Sequence, residues 1–255
     1  MSNRFGESFL AAVAMVVLSF GLNAQAKKMS NASNTAAPEA ASAHDLTGVW
    51  NMNPTHAQRK FINSTYTAQP PDMTAWGQKK YDEAKPSNGP RSNPLSVTND
   101  PVLRLCLPPG TPRIYLQPFP MQIVQTPKEV IMLFEYDHTV RHIYIDGRPH
   151  PPELTPTYGG DSIGKWEGNT LVVDTIGFNT KTWLDRDGHM HSDKLHVIER
   201  IHRVDHNNLE DDITMIDPVA LVKPWKADLY FELKPTWHLM ELACTDNVAF
   251  EHFEH

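Results

Sequence analysis

Cysteine is scarce in this chain: 255 residues hold two, Cys106 and Cys244. Two cysteines so far apart have no metal-ligand spacing, which excludes a zinc-finger type of framework. They cannot staple a small loop-rich domain either, so the fold has to rest on a hydrophobic core. Long apolar runs are equally scarce. The one that stands out is Phe9 to Leu22, which is shorter than the roughly 20 residues a spanning helix needs. Positive charge is not in excess: 23 Lys and Arg against 30 Asp and Glu give a net charge of −7. A nucleic-acid or anionic-membrane partner needs a basic face, and this balance argues against both. No G-x-S-x-G elbow or other nucleophile signature is read in the chain, which argues against a serine hydrolase.

What is present at the start is a leader pattern. Arg4, the apolar run and Ala24-Gln25-Ala26 supply the charge, the short apolar stretch and the small-residue cleavage site of a secretory signal over residues 1–26. Residues 27–44 are mostly Ala, Ser and Asn, cannot bury a core and read as a disordered linker. A single folded domain is expected over residues 45–255, in the periplasm or the medium, with no membrane segment left after cleavage. Such a compartment is oxidising, which favours a Cys106–Cys244 disulfide.

Proline is abundant, and nine of the 21 fall within residues 86–120. That stretch reads as a long ordered arm rather than regular structure. Before it, Asp72-Met73-Thr74 opens a helix with Asp72 as its N-cap, Trp76, Lys80 and Ala84 on one face, and Pro86 as its stop. From Met121 onward the texture changes to short apolar runs divided by turn residues such as Asp146-Gly147 and Glu167-Gly168-Asn169. Strands joined by tight turns pair antiparallel, and a meander hides its edges by closing on itself. The expected fold is mainly β: an antiparallel up-and-down β-barrel with one N-terminal helix and a Pro-rich arm. A two-sheet sandwich is the alternative.

Alternation sorts each strand into two faces. Glu135 shares a face with Ile131 and Leu133, Arg141 with Ile143 and Ile145, Asp174 with Val172 and Ile176. Glu199 shares one with Leu195, Val197 and Ile201, and Glu241 with Trp237 and Leu239. A lone charge on an apolar face has to be paired or line a wet cavity. These five residues therefore read as a polar patch inside an apolar pocket, the usual build of a small-molecule site.

The stretch WLDRDGHMHSDKLHVIER, residues 183–200, concentrates ionisable groups. His189 and His191 fall on one side of an extended segment, and Glu199 is a possible third metal ligand. Glu199 stands further from His191 than the corresponding carboxylate of cupin-type metal sites, so no metal is expected. Acid–base chemistry is the stronger functional reading, with His191 as proton carrier and Glu199 or Asp174 as its partner. The plain alternative is a hydrogen-bonded rim loop running into a strand.

Gly48-Val49-Trp50, on the first strand, resembles the G-x-W signature of lipocalins, in which the Trp closes the barrel base; Gly164-Lys165-Trp166 repeats the pattern. The resemblance implies a lipocalin/calycin-like barrel. Over residues 46–245 a wider set of strings, among them CLPPGTPR, IYIDGRPHP, SIGKWEGNTLVVDTIGFNTKTWLD and DPVALVKPW, is similar to an uncharacterised group of exported bacterial proteins. That resemblance implies export and supplies no catalytic residues.

The function expected from these observations is an exported barrel that binds a small, partly apolar molecule in its interior, without a cofactor. Arg141 would meet an acidic group on the ligand, Glu135 and Glu241 would complete the polar patch, and Trp183 and Trp237 would supply contact area, as would Trp166 and Phe134. One alternative is a cofactor-free isomerase, lyase or hydratase using the same cavity. The other is an envelope interaction module docking through the arm at residues 86–120. The sequence leaves the oligomeric state open.

Overall fold

A computed structural model describes residues 44–53 and 64–244 of the protein. The expected signal and nearly all of the linker lie outside the described residues. The chain divides into Met1–Glu39 and Ala40–His255, and every described residue belongs to the second unit.

Nine strands close into one barrel in chain order. They are β1 (Gly48–Met52), β2 (Met121–Gln125), β3 (Glu129–Phe134), β4 (Val140–Tyr144), β5 (Asp161–Glu167), β6 (Thr170–Ile176), β7 (His196–Arg203), β8 (Asn208–Ile216) and β9 (Trp225–Leu233). β9 pairs with β1 and completes the ring. Nine is odd, and a ring whose neighbours all alternate in direction needs an even number. One neighbouring pair must therefore run parallel. It is β4 and β5, with Ile143 opposite Ser162 and Tyr144 opposite Ile163. This corrects the all-antiparallel expectation. The Pro-rich excursion at 145–160 makes it possible, because a parallel neighbour requires the chain to travel back before it pairs. His150 ties the excursion down through contacts to Asp161 (2.5 Å) and Asp174 (3.2 Å).

The register fixes which side chains point inward, since directly opposed residues share a face. Met132 lies opposite Arg141, so the buried face of β3 is Val130, Met132 and Phe134, not the expected Ile131 and Leu133. β3 is apolar on both faces, and alternation alone could not choose between them. Val173 lies opposite Glu199, so with Glu199 inside, Asp174 must be outside. Residues 234–244 leave the barrel after β9, because the closure of β9 on β1 leaves no slot for the strand expected at 237–243. Trp237 and Glu241 are exposed outside it. In the core, Trp50 is fully buried, donates its indole N–H to the Leu46 carbonyl (2.9 Å) and lies under the Arg203 guanidinium.

One mouth of the barrel is covered by the arm, by loop 177–195 and by turn 217–224. Ahead of the arm stands helix α1 (Ala75–Glu83), whose N-cap is Thr74 rather than Asp72: its hydroxyl accepts from the Gly77 amide. Beyond it the arm is not wholly irregular. Asp100 caps a short helix α2 (Pro101–Leu105), and a 3-10 turn spans Arg113–Leu116. α1 is seated closely on turn 217–224, for a Cβ on Gly77 would come within 2.2 Å of the Ala220 carbonyl oxygen. Cys106 and Cys244 are disulfide-bonded, which fastens the outgoing chain to the arm. Among the described residues no helix is long and apolar enough to cross a membrane.

Candidate functional site

Two polar constellations result from this fold. The first fills the barrel centre. Arg141 on β4 grips Glu199 on β7 with both terminal nitrogens, Nη1 to Oε1 at 2.8 Å and Nη2 to Oε2 at 2.5 Å. Tyr115, on the 3-10 turn, reaches in from the arm. It accepts from Arg141 Nη1 (2.6 Å) and donates to Glu199 Oε1 (2.8 Å), with its ring near Phe134 and Phe231. Ser162 and Thr175 take the remaining guanidinium N–H groups at 3.0–3.3 Å. Arg141 is thus fully engaged by protein groups. Burial works against its charge, but Glu199 and Tyr115 more than restore it, and its pKa is raised. Burial pushes the Tyr115 hydroxyl up, opposed by Arg141.

Asp211 on β8 is the odd member of this group. It is 1% exposed, and its oxygens accept no hydrogen bond among the described residues. One arginine cannot neutralise two carboxylates. Burial first, and the adjacent Glu199 second, push the Asp211 carboxyl well above its ordinary range.

The second constellation lies at the covered mouth. A cleft of about 500 Å3 separates α1 from loop 177–195 and is lined by Trp76, Lys80, Met190, His191, Asp193 and Val219 among others. Small-molecule sites have volumes of about 300–1,000 Å3. His191 is 4% exposed, and its Nδ1 stands 3.0 Å from the Ser192 carbonyl oxygen. A carbonyl only accepts, so Nδ1 carries the hydrogen and Nε2 is bare in the neutral ring. Nε2 has no hydrogen-bond partner among the described residues. Burial lowers the His191 pKa, opposed by the Ser192 carbonyl and the Asp217 charge, which keeps the ring neutral.

Asp217 secures both walls of this cleft. It accepts from the Ser192 amide (2.5 Å) and hydroxyl (2.8 Å), and from the amides of Val219 (3.0 Å) and Ala220 (3.1 Å). Thr74, the cap of α1, bonds in turn to Val219 and Ala220. Ser192, His191 and Asp217 are not a catalytic triad, because Asp217 holds the serine and the histidine holds a backbone carbonyl. Gly160-Asp161-Ser162-Ile163-Gly164 does have the G-x-S-x-G pattern. Its serine lies within β5, bonded to Arg141 and Thr175, rather than on a strand-to-helix turn.

The structure does not bring His191, Glu199 and Asp174 together. His191 is on the cleft, Glu199 is on Arg141, and Asp174 is on the outer face with His150 and His196. His189 turns to Asp185 (2.7 Å) and stacks on Tyr81. Asp185 also accepts from three successive amides, 187–189, which shapes the loop. Glu135 sits just beyond β3 and accepts from the Met240 amide (2.9 Å). Trp183 is buried in the loop beneath Arg113, bridged to Met190. Tyr115, Asp211 and Asp217 escaped the sequence reading. Asp211 had a signal, for Leu209, Asp211, Ile213 and Met215 alternate inward on β8. Tyr115, in a proline-rich arm, had none. Comparison with protein families, curated proteins and solved structures gives no match to this chain.

Proposed function

We propose that this protein is an exported barrel that binds a small, partly apolar molecule, and that the ligand enters the cleft at the covered mouth rather than the barrel centre. The observation that carries this reading is the bare Nε2 of a buried, neutral His191 on a cleft of ligand size. Arg141 was the expected anchor, but its N–H groups are all taken by protein partners. The disulfide supports an oxidising compartment.

Native mass spectrometry of the protein from its producing cells, compared with the same sample denatured, tests the reading. An organic adduct that leaves on denaturation, and is absent from a His191→Phe variant that folds, is the expected result. An adduct retained by that variant would move the ligand elsewhere.

The tautomer of His191 favours a second reading, a cofactor-free proton-transfer enzyme with Nε2 as the proton acceptor. Its partner would be a group on the substrate, since neither Glu199 nor Asp174 adjoins His191. Deuterium uptake from solvent into a bound carbon acid, lost in His191→Phe, would distinguish turnover from binding.

A further inference from the structure

We infer that the ligand of this cleft is a neutral, partly apolar molecule bearing a hydroxyl of the phenol or enol class, which it donates to His191 Nε2. The inference rests on the cleft being the binding site and adds the chemistry of its occupant.

The unpartnered ring nitrogen of His191, a buried residue that lines the cleft, decides the sign of the contact. Nδ1 of His191 is committed to the Ser192 carbonyl, so Nε2 offers a lone pair and no hydrogen. A carboxylate or phosphate placed there would meet lone pair with lone pair. A hydroxyl or an N–H would satisfy the nitrogen. Ser192 offers no alternative, because its hydroxyl donates to Asp217 and accepts from the Lys194 amide. Thr180 lines the same cleft, and its hydroxyl has no partner among the described residues. Thr180 adds a second hydroxyl to the polar lining, able to donate to or accept from an oxygen on the same ligand.

The remaining walls select against net charge. Lys80 is paired with Glu83 at 3.0 Å and Asp193 with Lys194 at 3.0 Å, so both rim charges are answered within the protein. Trp76, Met190 and Val219 also line the cleft and give it an apolar surface suited to an aromatic or similarly flat body. Phenols and enols combine such a body with a hydroxyl that donates more strongly than an aliphatic alcohol.

The experiment is a pair of NMR titrations of the disulfide-intact protein at pH 7.5, one with 4-methylphenol and one with its ether, 4-methylanisole. The two probes share a ring and differ in the hydrogen that Nε2 would accept. The expected result is saturable shifts at Trp76 and Met190–Asp193, with the phenol binding about fivefold more tightly, the value of one ordinary hydrogen bond of about 1 kcal/mol. His191→Phe should erase that preference, and His191→Gln, which restores an acceptor, should keep part of it. Equal binding of the two probes overturns the hydroxyl inference and leaves the cleft as a site. Shifts from neither probe, or shifts confined to the barrel centre, overturn the cleft reading itself.

Discussion

Arg141 and Glu199 face each other across the barrel as a two-pronged ion pair, 5% and 0% exposed, with the buried Asp211 beside them, its carboxyl pushed up by burial and by Glu199. The three groups make unequal demands on one another. Replacing Arg141 by Met strands a buried carboxylate beside a second acid, and breaking a buried pair in that way costs about 3–5 kcal/mol. Replacing Glu199 by Gln leaves Arg141 in the field of Asp211, whose carboxylate then supplies the compensating negative charge. Urea unfolding should therefore show Arg141→Met losing the larger amount and Glu199→Gln less than half of it. Equal losses would mean that Asp211 does not serve as a reserve.

The Asp211 proton also gives stability a pH slope. A carboxyl raised by burial and by Glu199 binds its proton more tightly folded than unfolded. Between the unfolded value of about 3.9 and the raised one, the folded state holds more protons, so stability falls as pH rises through that window. Asp211→Asn removes that contribution. Its stability relative to the parent should improve from pH 4.5 to pH 8.5 in urea unfolding. A difference that stays flat or reverses would place the proton elsewhere.

The barrel, most of its strands and the inward placement of Arg141 and Glu199 were legible from alternation and turn residues, and the disulfide from the expected oxidising compartment. Errors arose where alternation carries no information. β3 is apolar on both faces, and only its register against Arg141 turns Met132 inward. Asp174 looked equivalent to Glu199, yet Val173 rather than Asp174 stands opposite Glu199, a long-range fact that no local pattern contains. The parallel pair follows from parity once nine strands are counted, but turn residues alone do not fix the count, so parity stayed open. The cleft was invisible for a similar reason. α1, loop 177–195 and turn 217–224 are distant in sequence, and Asp217 reads locally as the start of an Asp-Pro turn.

The Cys106–Cys244 disulfide closes a loop with a sequence separation of 138. Chain-entropy reasoning assigns such a large loop about 3–5 kcal/mol, by restricting the unfolded chain. The Cys106→Ala/Cys244→Ala variant should lose that amount in urea unfolding while its far-ultraviolet circular dichroism retains the β signal. The cleft lies on α1 and loops that the disulfide does not hold, so the 4-methylphenol shifts should persist. A variant that keeps its stability would show that the unfolded chain is already compact around these positions.

Asp217 couples the architecture of the cleft to the basicity of His191. Its carboxylate holds Ser192, the neighbour of His191, and its charge partly offsets the burial that lowers the His191 pKa. Asp217→Asn keeps the shape, removes the charge and turns one acceptor into a donor facing the Ser192 amide. The cost is about 1–3 kcal/mol for the mismatched hydrogen bonds. His191 should then titrate lower still, because the opposing charge is gone while burial remains. A lowered histidine binds fewer protons folded than unfolded, so stability falls as pH drops from about 6.5 toward the folded value. In the variant that window extends to lower pH, and the acid limb of 4-methylphenol binding should move with it. The imidazole carbon-bound proton of His191, followed by NMR, reports both proteins directly. An upward or absent shift, together with normal folding, would confine Asp217 to holding the cleft walls and remove it from the electrostatics of the site.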